Sequence, residues 1–321
     1  MKIAILGNGG REHALALSIS KSKKVQKIFC LPGNAGTANI AENILLNVNN
    51  FELIYDFLKK KQIDLVIVGP EKPLVNGIVN YLKKRNISVF GPNKNSAQLE
   101  GSKIFTKKIC KKYKIPTASF GIFKSKKSAI KFVNKSKLPI VIKADGLAAG
   151  KGVYICNNLK ESNIAINEIF DGKFGFAKNI LIEEFLKGEE MSFFVISDGK
   201  SFQSFQTAQD HKRVGEGDVG KNTGGMGAYC PSNLINKKLE KKIINRIIKP
   251  TFKALKDLGD NYSGFLYAGL MIKDNNPYLI EYNVRMGDPE CQTILPLLKS
   301  DFLELILACN KRKLSNFKIK W

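Results

Sequence analysis

The 321 residues are 44% hydrophobic and 25% charged, ordinary globular composition with length for two or three compact units. No apolar run approaches the length of a bilayer span, and the six cysteines (Cys30, Cys110, Cys156, Cys230, Cys291, Cys309) form no C-x-x-C pair, which excludes a membrane helix and a zinc ribbon and reads as reduced thiols of a cytoplasmic chain. The formal net charge of +24 rests on 52 basic residues, but only six are arginine and the lysines are spread over the whole chain, a pattern of solvated faces that argues against specific nucleic-acid recognition.

The first hundred residues read as alternating strands and helices. Lys2 to Leu6 is a strand that runs straight into the turn Gly7-Asn8-Gly9-Gly10; it is too short and lacks the cleavage-type end of a signal peptide. A helix follows from Arg11 to about Ser20, then a strand over Lys27 to Leu31 and the loop Pro32-Gly33-Asn34-Ala35-Gly36-Thr37. Asp64 to Val68 is an apolar strand closed by Gly69-Pro70-Glu71, with a helix expected over Leu74 to Arg85 and a short strand over Ser88 to Phe90. Such repetition implies a parallel sheet, with ligands at the carboxyl ends of its strands, where the glycine loops fall. The first turn is not a dinucleotide fingerprint: Glu12 stands where a third glycine is needed, and no acid ends the second strand. Its backbone N–H groups suit an anion such as a sugar phosphate; the alternative is a tight βα turn with no ligand.

A lysine-studded helix is expected over Lys103 to Tyr113, ending before Pro116. Pro139 to Lys143 reads as a buried strand carrying one lysine, which either pairs with an anion or snorkels to water. The loop from Ala144 to Val153 resembles a phosphate loop but fails the Walker pattern, because Gly152 stands where Ser or Thr is needed; a glycine flap over phosphates fits it. Ile180 to Leu186 is an apolar strand with two acids, and Met191 to Ile196 another strand. Ala208 to Gly227, polar and glycine-rich, reads as a long loop, functional or disordered, holding Asp210-His211-Lys212-Arg213. A helix is expected from Asn236 to about Leu258, then a hairpin of Gly264 to Ile272 with the strand beginning near Ile280, and a last helix over Asp301 to Asn310.

The most informative stretch is Ile280 to Glu290, IEYNVRMGDPE. Ile280, Tyr282 and Val284 alternate with Glu281, Asn283 and Arg285, so a carboxylate, an amide and a guanidinium share one strand face at intervals of about 7 Å. Oxygen donors at that spacing suit a hard divalent cation, and the arginine suits a carboxylate or phosphate; alternation alone fits a solvated face as well.

Taken together these segments carry a resemblance. GNGGREHAL, PGNAGT, DLVIVGPE, QLEGSK, IVIKADGLAAGKGV, EEFLKGEE, QDHKRVGEGDVGKNTGGMGAY, GFLYAGLM and IEYNVRMGDPE run from end to end in order, and the chain resembles the phosphoribosylamine–glycine ligase family of ATP-grasp enzymes. The resemblance implies an α/β and α+β architecture: a Rossmann-like substrate domain (residues 1–102), an ATP-grasp core with the metal site (103–118 and 188–321) and a small lid (119–187). It implies ATP-dependent ligation of glycine to 5-phosphoribosylamine through glycyl phosphate, with Mg2+ or Mn2+ as cofactor. Lys103, Lys143, Gly150 and Gly152 would meet the ATP phosphates, Glu183 and the backbone of Phe185 the adenine, and Glu190 the ribose. Glu281 and Asn283 would be the metal ligands, and Arg285 with Asp210 would orient glycine or its acyl phosphate. Asn8, Gly9, Glu12, Asn34 and Glu71, with Lys212 and Arg213 of the long loop, would face substrate. The family usually continues for a further domain, so the resemblance also leaves room for a separate chain that supplies it, or for a remnant that binds ATP or a partner without full activity.

Overall fold

The computed structural model describes residues 1–147, 152–175, 178–217 and 219–321. Its first unit is a parallel sheet in the order β3-β2-β1-β4-β5, built from β1 (Lys2–Gly7), β2 (Lys27–Pro32), β3 (Glu42–Asn43), β4 (Leu65–Val68) and β5 (Val89–Phe90). The strands are near-continuous apolar runs because both faces are covered. Helices α1 (Gly10–Ser20), α2 (Phe51–Lys61), α3 (Glu71–Asn76) and α4 (Ile78–Lys83) provide that cover. Asn50 starts α2 by accepting from the Leu53 N–H at 3.1 Å, and Ile54 and Leu58 form its buried stripe. The single helix expected from Leu74 to Arg85 is instead two, split at Gly77, whose φ of +95° ends α3 in the left-handed region.

After α5 (Gln98–Gly101) and α6 (Lys103–Tyr113) the chain forms an antiparallel sheet in the order β6-β9-β7-β8, from β6 (Phe120–Phe123), β7 (Ile140–Ala144), β8 (Val153–Cys156) and β9 (Ile180–Glu184). Helices α7 (Lys126–Val133) and α8 (Leu159–Phe170) pack on it, and Ala129, Ile142, Ile166 and Ile182 belong to an apolar cluster of its own.

The third sheet has the order β11-β10-β14-β15, from β10 (Glu189–Asp198), β11 (Phe202–Ser204), β14 (Ser263–Lys273) and β15 (Asn276–Asn283). The turn from β14 to β15 places Asp274 and Asn275 at φ of 49° and 56°, a hairpin geometry that Asp and Asn tolerate. The expected long loop at Ala208 to Gly227 is an antiparallel hairpin, β12 (Gln209–Gly215) with β13 (Val219–Tyr229). Register shifts on either side of Arg213 interrupt the pairing, and the polar, glycine-rich sequence carries no apolar alternation to read. The expected helix after Asn236 is α9 (Lys237–Ile243), a π turn over Ile244–Ile248 and α10 (Lys249–Asp257); Pro250 lacks the N–H that a continuous α-helix requires. Helices α11 (Glu290–Ile294) and α12 (Phe302–Asn310) follow.

Both faces of β1 and β10 are buried in clusters that the first and third sheets share. Leu6 and Val68 join Phe193, Tyr282 and Val284 in one; Ile5 and Ile67 join Phe194, Phe265 and Ile306 in the other. Each fully buried aliphatic side chain stabilises by roughly 1.5–3 kcal/mol, so these sheets form one body. Among the described residues no helix is long and apolar enough to cross a membrane.

Candidate active site

The alternation of β15 is interrupted once. Gly269 pairs with Glu281 and Leu270 with Leu279, so Ile280 is an extra residue in a β-bulge. Tyr282 and Val284 enter the core as expected, but Ile280 does not: it lines the same cleft as Glu281. The cleft receives Glu190 and Ser192 from β10, Asp210 and Lys212 from β12, and Tyr267 from β14. The bulge is pinned from below, where the Leu279 N–H donates to Pro116 O at 2.8 Å and its carbonyl accepts from Thr117 Oγ1 at 2.6 Å.

Burial opposes the charge of Glu281, but Lys212, Lys143, Lys103 and Arg285 outweigh it and hold the carboxyl below its ordinary range. These cations come from four segments, so the field at Glu281 is a property of the fold. Lys212 Nζ lies 3.5 Å from Glu190 Oε2 and 3.9 Å from Asp210 Oδ2. Asp210 Oδ1 is buried without a hydrogen-bond partner, and burial, opposed by Lys212 and assisted by Glu290 and Glu190, raises its pKa to about 6. The backbone of Arg213 pairs with that of Asn222, and its side chain lies outside those described.

The lid approaches from the other side. Lys103 Nζ donates to Gly146 O at 2.9 Å, and Asp145 accepts from Ser102 Oγ at 3.1 Å and from the Ile104 N–H at 3.2 Å, seating the lid loop on the N-terminus of α6. Gly152 accepts from the Ala144 N–H at 2.8 Å; Gly150 lies outside the described residues. Lys143 does not snorkel: its Nζ is 2.7 Å from Glu183 Oε2, and Lys107 Nζ is 2.8 Å from Glu183 Oε1. Glu183 is 4% exposed, and Lys107 and Lys143 hold its pKa down against the cost of burial. Phe185 follows the end of β9, where Glu184 exchanges hydrogen bonds with Ser119.

Arg285 lines a second cleft with Arg11, Val68, Phe90 and Phe265, at the carboxyl ends of the parallel strands. Its Nη2 donates to Glu100 Oε1 at 2.7 Å and its Nε lies 3.5 Å from Glu71 Oε2. Among the described residues no hydrogen bond or ion pair joins Arg285 to Asp210; the two expected glycine-orienting residues sit in neighbouring clefts, with the charge of Arg285 reaching Glu281 between them. Glu100 was not a sequence candidate, although its segment QLEGSK was legible.

The N-terminal turn is more enclosed than its glycines suggest. The Gly9 N–H donates to Glu12 Oε2 at 2.6 Å, Arg11 Nε donates to Glu12 Oε1 at 2.6 Å, and Glu12 is buried. Glu12 closes the turn in a capping arrangement that already takes the Gly9 N–H. A Cβ on Gly69 would lie 1.9 Å from Glu12 Oε1, which is why a glycine is needed there. Asn34 is likewise engaged: its Nδ2 donates to Asn8 O and Gly9 O, both at 3.0 Å, while its Oδ1 accepts from the Thr37 N–H at 2.9 Å. Asn8 is exposed at the turn's tip. The GDPE segment meets this turn, since the Arg11 N–H approaches Asp288 Oδ2 at 3.4 Å and Arg11 Nη1 donates to Met286 O at 3.3 Å.

Glu281 and Asn283 supply two oxygen donors two residues apart, and no third acidic, His or Cys side chain completes a cluster with them among the described residues. That donor set fits a hard divalent cation whose other positions are filled by nucleotide oxygens and water, not an all-protein cage.

A parallel-sheet unit, a lid and an antiparallel core converging on lysines and a strand carboxylate define an ATP-grasp fold. Residues 1–100 match "Phosphoribosylglycinamide synthetase, N domain" and residues 101–291 match "Phosphoribosylglycinamide synthetase, ATP-grasp (A) domain". A phosphoribosylamine–glycine ligase of Mesorhizobium japonicum is 48% identical over 322 residues, covering 100% of this chain and 76% of its own. The crystal structure of the Thermotoga maritima phosphoribosylamine–glycine ligase superposes with a TM-score of 0.85 at 34% identity, covering 100% of this chain and 77% of that one. The fold alone extends to the biotin carboxylase domain of Hydrogenobacter thermophilus 2-oxoglutarate carboxylase, solved with MgADP, at a TM-score of 0.73 and 18% identity. The chain belongs to the phosphoribosylamine–glycine ligase family. ATP-grasp ligases use ATP and a divalent metal.

Proposed function

We propose that this chain joins glycine to 5-phosphoribosylamine in the cytoplasm, converting ATP to ADP and phosphate, as a step of purine synthesis. The observation that carries the reading is the convergence of cations from four segments, Lys212, Lys143, Lys103 and Arg285, on one strand carboxylate, Glu281, beside the buried and unpartnered Asp210 Oδ1. Residues 1–102 hold the amine substrate, 119–187 form the lid, and 103–118 with 188–321 form the core.

Lys103 and Lys143 take the nucleotide phosphates, Glu183 and the Phe185 backbone the adenine, and Glu190 the ribose. Glu281 and Asn283 hold Mg2+ or Mn2+, which neutralises charge on the transferring phosphoryl group when bound. A glycine carboxylate oxygen attacks the γ-phosphorus, and ADP leaves. The ribosyl amine then attacks the acyl carbon, phosphate leaves, and the nitrogen gives up a proton. Asp210 Oδ1, buried and unpartnered, suits the glycine ammonium. Arg285 suits the carboxylate and then the acyl phosphate. Asn8, Gly9, Glu12, Asn34 and Glu71 face the amine substrate, with Glu12 also capping the turn. No covalent protein intermediate is needed; the residues position, neutralise charge and exclude water.

The test is phosphate release with ATP, Mg2+, glycine and freshly prepared phosphoribosylamine. Turnover that requires glycine and the amine together is expected. Absence of glycine-dependent turnover, with nucleotide binding intact, favours the alternative of a nucleotide-binding remnant.

A further inference from the structure

Lys107 lies one turn after Lys103 on α6 and is 2% exposed, more deeply buried than a lysine tolerates without strong partners. Its ammonium reaches Glu183 Oε1 at 2.8 Å, donates to Thr117 Oγ1, and sits 5.4 Å from the centre of the Phe120 ring. Thr117 Oγ1 passes its own hydrogen to Leu279 O at 2.6 Å. Lys107 therefore links a lid carboxylate on β9 to the residue beside the bulge that presents Glu281. The proposed chemistry uses Lys103 and Lys143 and leaves Lys107 without a task.

The charges supply one. Glu183 has an ammonium on each oxygen, Lys143 at 2.7 Å and Lys107 at 2.8 Å, so one carboxylate is shared by two cations. A phosphate drawing Lys143 away removes one partner from Glu183. Without a second partner the carboxylate is left buried and unpaired, a penalty charged against nucleotide binding. We propose that Lys107 is a positioning residue, the standing counter-ion of Glu183 that releases Lys143 to the nucleotide phosphates and, through Thr117 and Leu279, holds the lid in register with the Glu281 strand. This rests on the reading of Lys143 as a phosphate ligand.

The experiment is a double-mutant cycle on the full chain, read by calorimetric titration with MgATP and by thermal unfolding. Lys107→Met keeps the length and removes the charge. It is expected to weaken MgATP binding at least tenfold, with KM for glycine within twofold of the parent. In a Glu183→Gln background, where no carboxylate needs a partner, Lys107→Met is expected to change MgATP affinity less than twofold, and Lys107→Arg in the parent to stay within about threefold. Equal losses in both backgrounds, or unchanged affinity in Lys107→Met, overturn the proposal. If Lys107→Met alone does not fold, the double variant decides: it folds if charge is the reason, and its failure assigns Lys107 to packing and overturns the proposal. Lys143→Met tests the phosphate reading separately; if it binds MgATP like the parent, that reading fails whatever Lys107 shows.

Discussion

The Arg285 guanidinium donates to Glu100 Oε1 at 2.7 Å, while Glu100 Oε2 accepts from the Val284 N–H at 2.8 Å. One carboxylate thus fixes both the side chain of Arg285 and the backbone immediately before it. Glu71, at the carboxyl end of the parallel sheet, approaches the same guanidinium from the other side at 3.5 Å. Burial works against the charge of Arg285, and Glu100, Glu71 and Glu290 outweigh it, so the arginine stays cationic.

From this follows the effect of Glu100→Gln. The amide still accepts from Val284, but the charge that aims the guanidinium is lost. Catalytic efficiency for glycine is expected to fall about tenfold, with KM for ATP within twofold, and stability to fall by about 1–3 kcal/mol for the weakened buried hydrogen bonds. Steady-state kinetics varying each substrate in turn, with urea unfolding alongside, is the check; a loss confined to ATP would place Glu100 elsewhere in the mechanism.

Glu12, proposed to face the amine substrate, also carries buried contacts of its own. Its two oxygens take the Gly9 N–H and Arg11 Nε, each at 2.6 Å, so Glu12→Gln leaves Arg11 buried without its carboxylate. The expected loss is about 3–5 kcal/mol of unfolding free energy. Urea titration measures it, and a variant as stable as the parent but with a raised KM for phosphoribosylamine would confine Glu12 to the substrate.

Both cases show where sequence reasoning runs out. The parallel sheet, the lysine helix and the β14–β15 hairpin are written locally, in apolar runs, glycine turns and a two-residue period. The bulge at Ile280 is not, because it exists only against the register of β14. A lysine in the apolar run of β7 announces that some anion must meet it, but nothing near Lys143 names Glu183, and nothing near Glu183 names Lys107. The β12–β13 hairpin is polar and glycine-rich in sequence, so the strongest strand signal is absent where strands exist. A glutamate three residues after Gly9 carried a capping signal that the missing third glycine overshadowed.

Asp210 gives the site a pH dependence. Its pKa is raised to about 6, by burial first, so it is mostly ionised at pH 7 and loses its charge as pH falls through 6. If it holds the glycine ammonium, KM for glycine rises about tenfold for each unit below that point, and Asp210→Asn removes this limb while raising KM at every pH. For stability the sign is opposite: a raised carboxyl pKa stabilises the fold fully below the unfolded value near 4, and that contribution is lost as pH rises through 6. Glycine KM from pH 5 to 8 in both proteins, with unfolding midpoints at the same pH values, separates the two effects.

Glu281→Gln bears most directly on the site. The carboxylate stands in the field of Lys212, Lys143, Lys103 and Arg285, and those four keep it ionised against burial. Its removal takes one anion from the field of the four cations and deletes one of the two oxygen donors proposed for the divalent cation. Metal-free ATP, a polyanion, is then expected to bind at least as tightly as to the parent, because a negative charge beside its phosphates has been removed. The benefit of added Mg2+ and turnover both collapse, the latter by about a thousandfold, on the scale of losing one charge-stabilising group. The fold survives because Glu281 borders a cleft and the neighbours that enter the core, Tyr282 and Val284, are untouched. The measurements are ATP titration with and without Mg2+, glycine-dependent phosphate release and a thermal scan. Intact Mg2+ dependence in Glu281→Gln would move the metal site away from β15, whereas unfolding would make Glu281 a structural ion partner of the four cations.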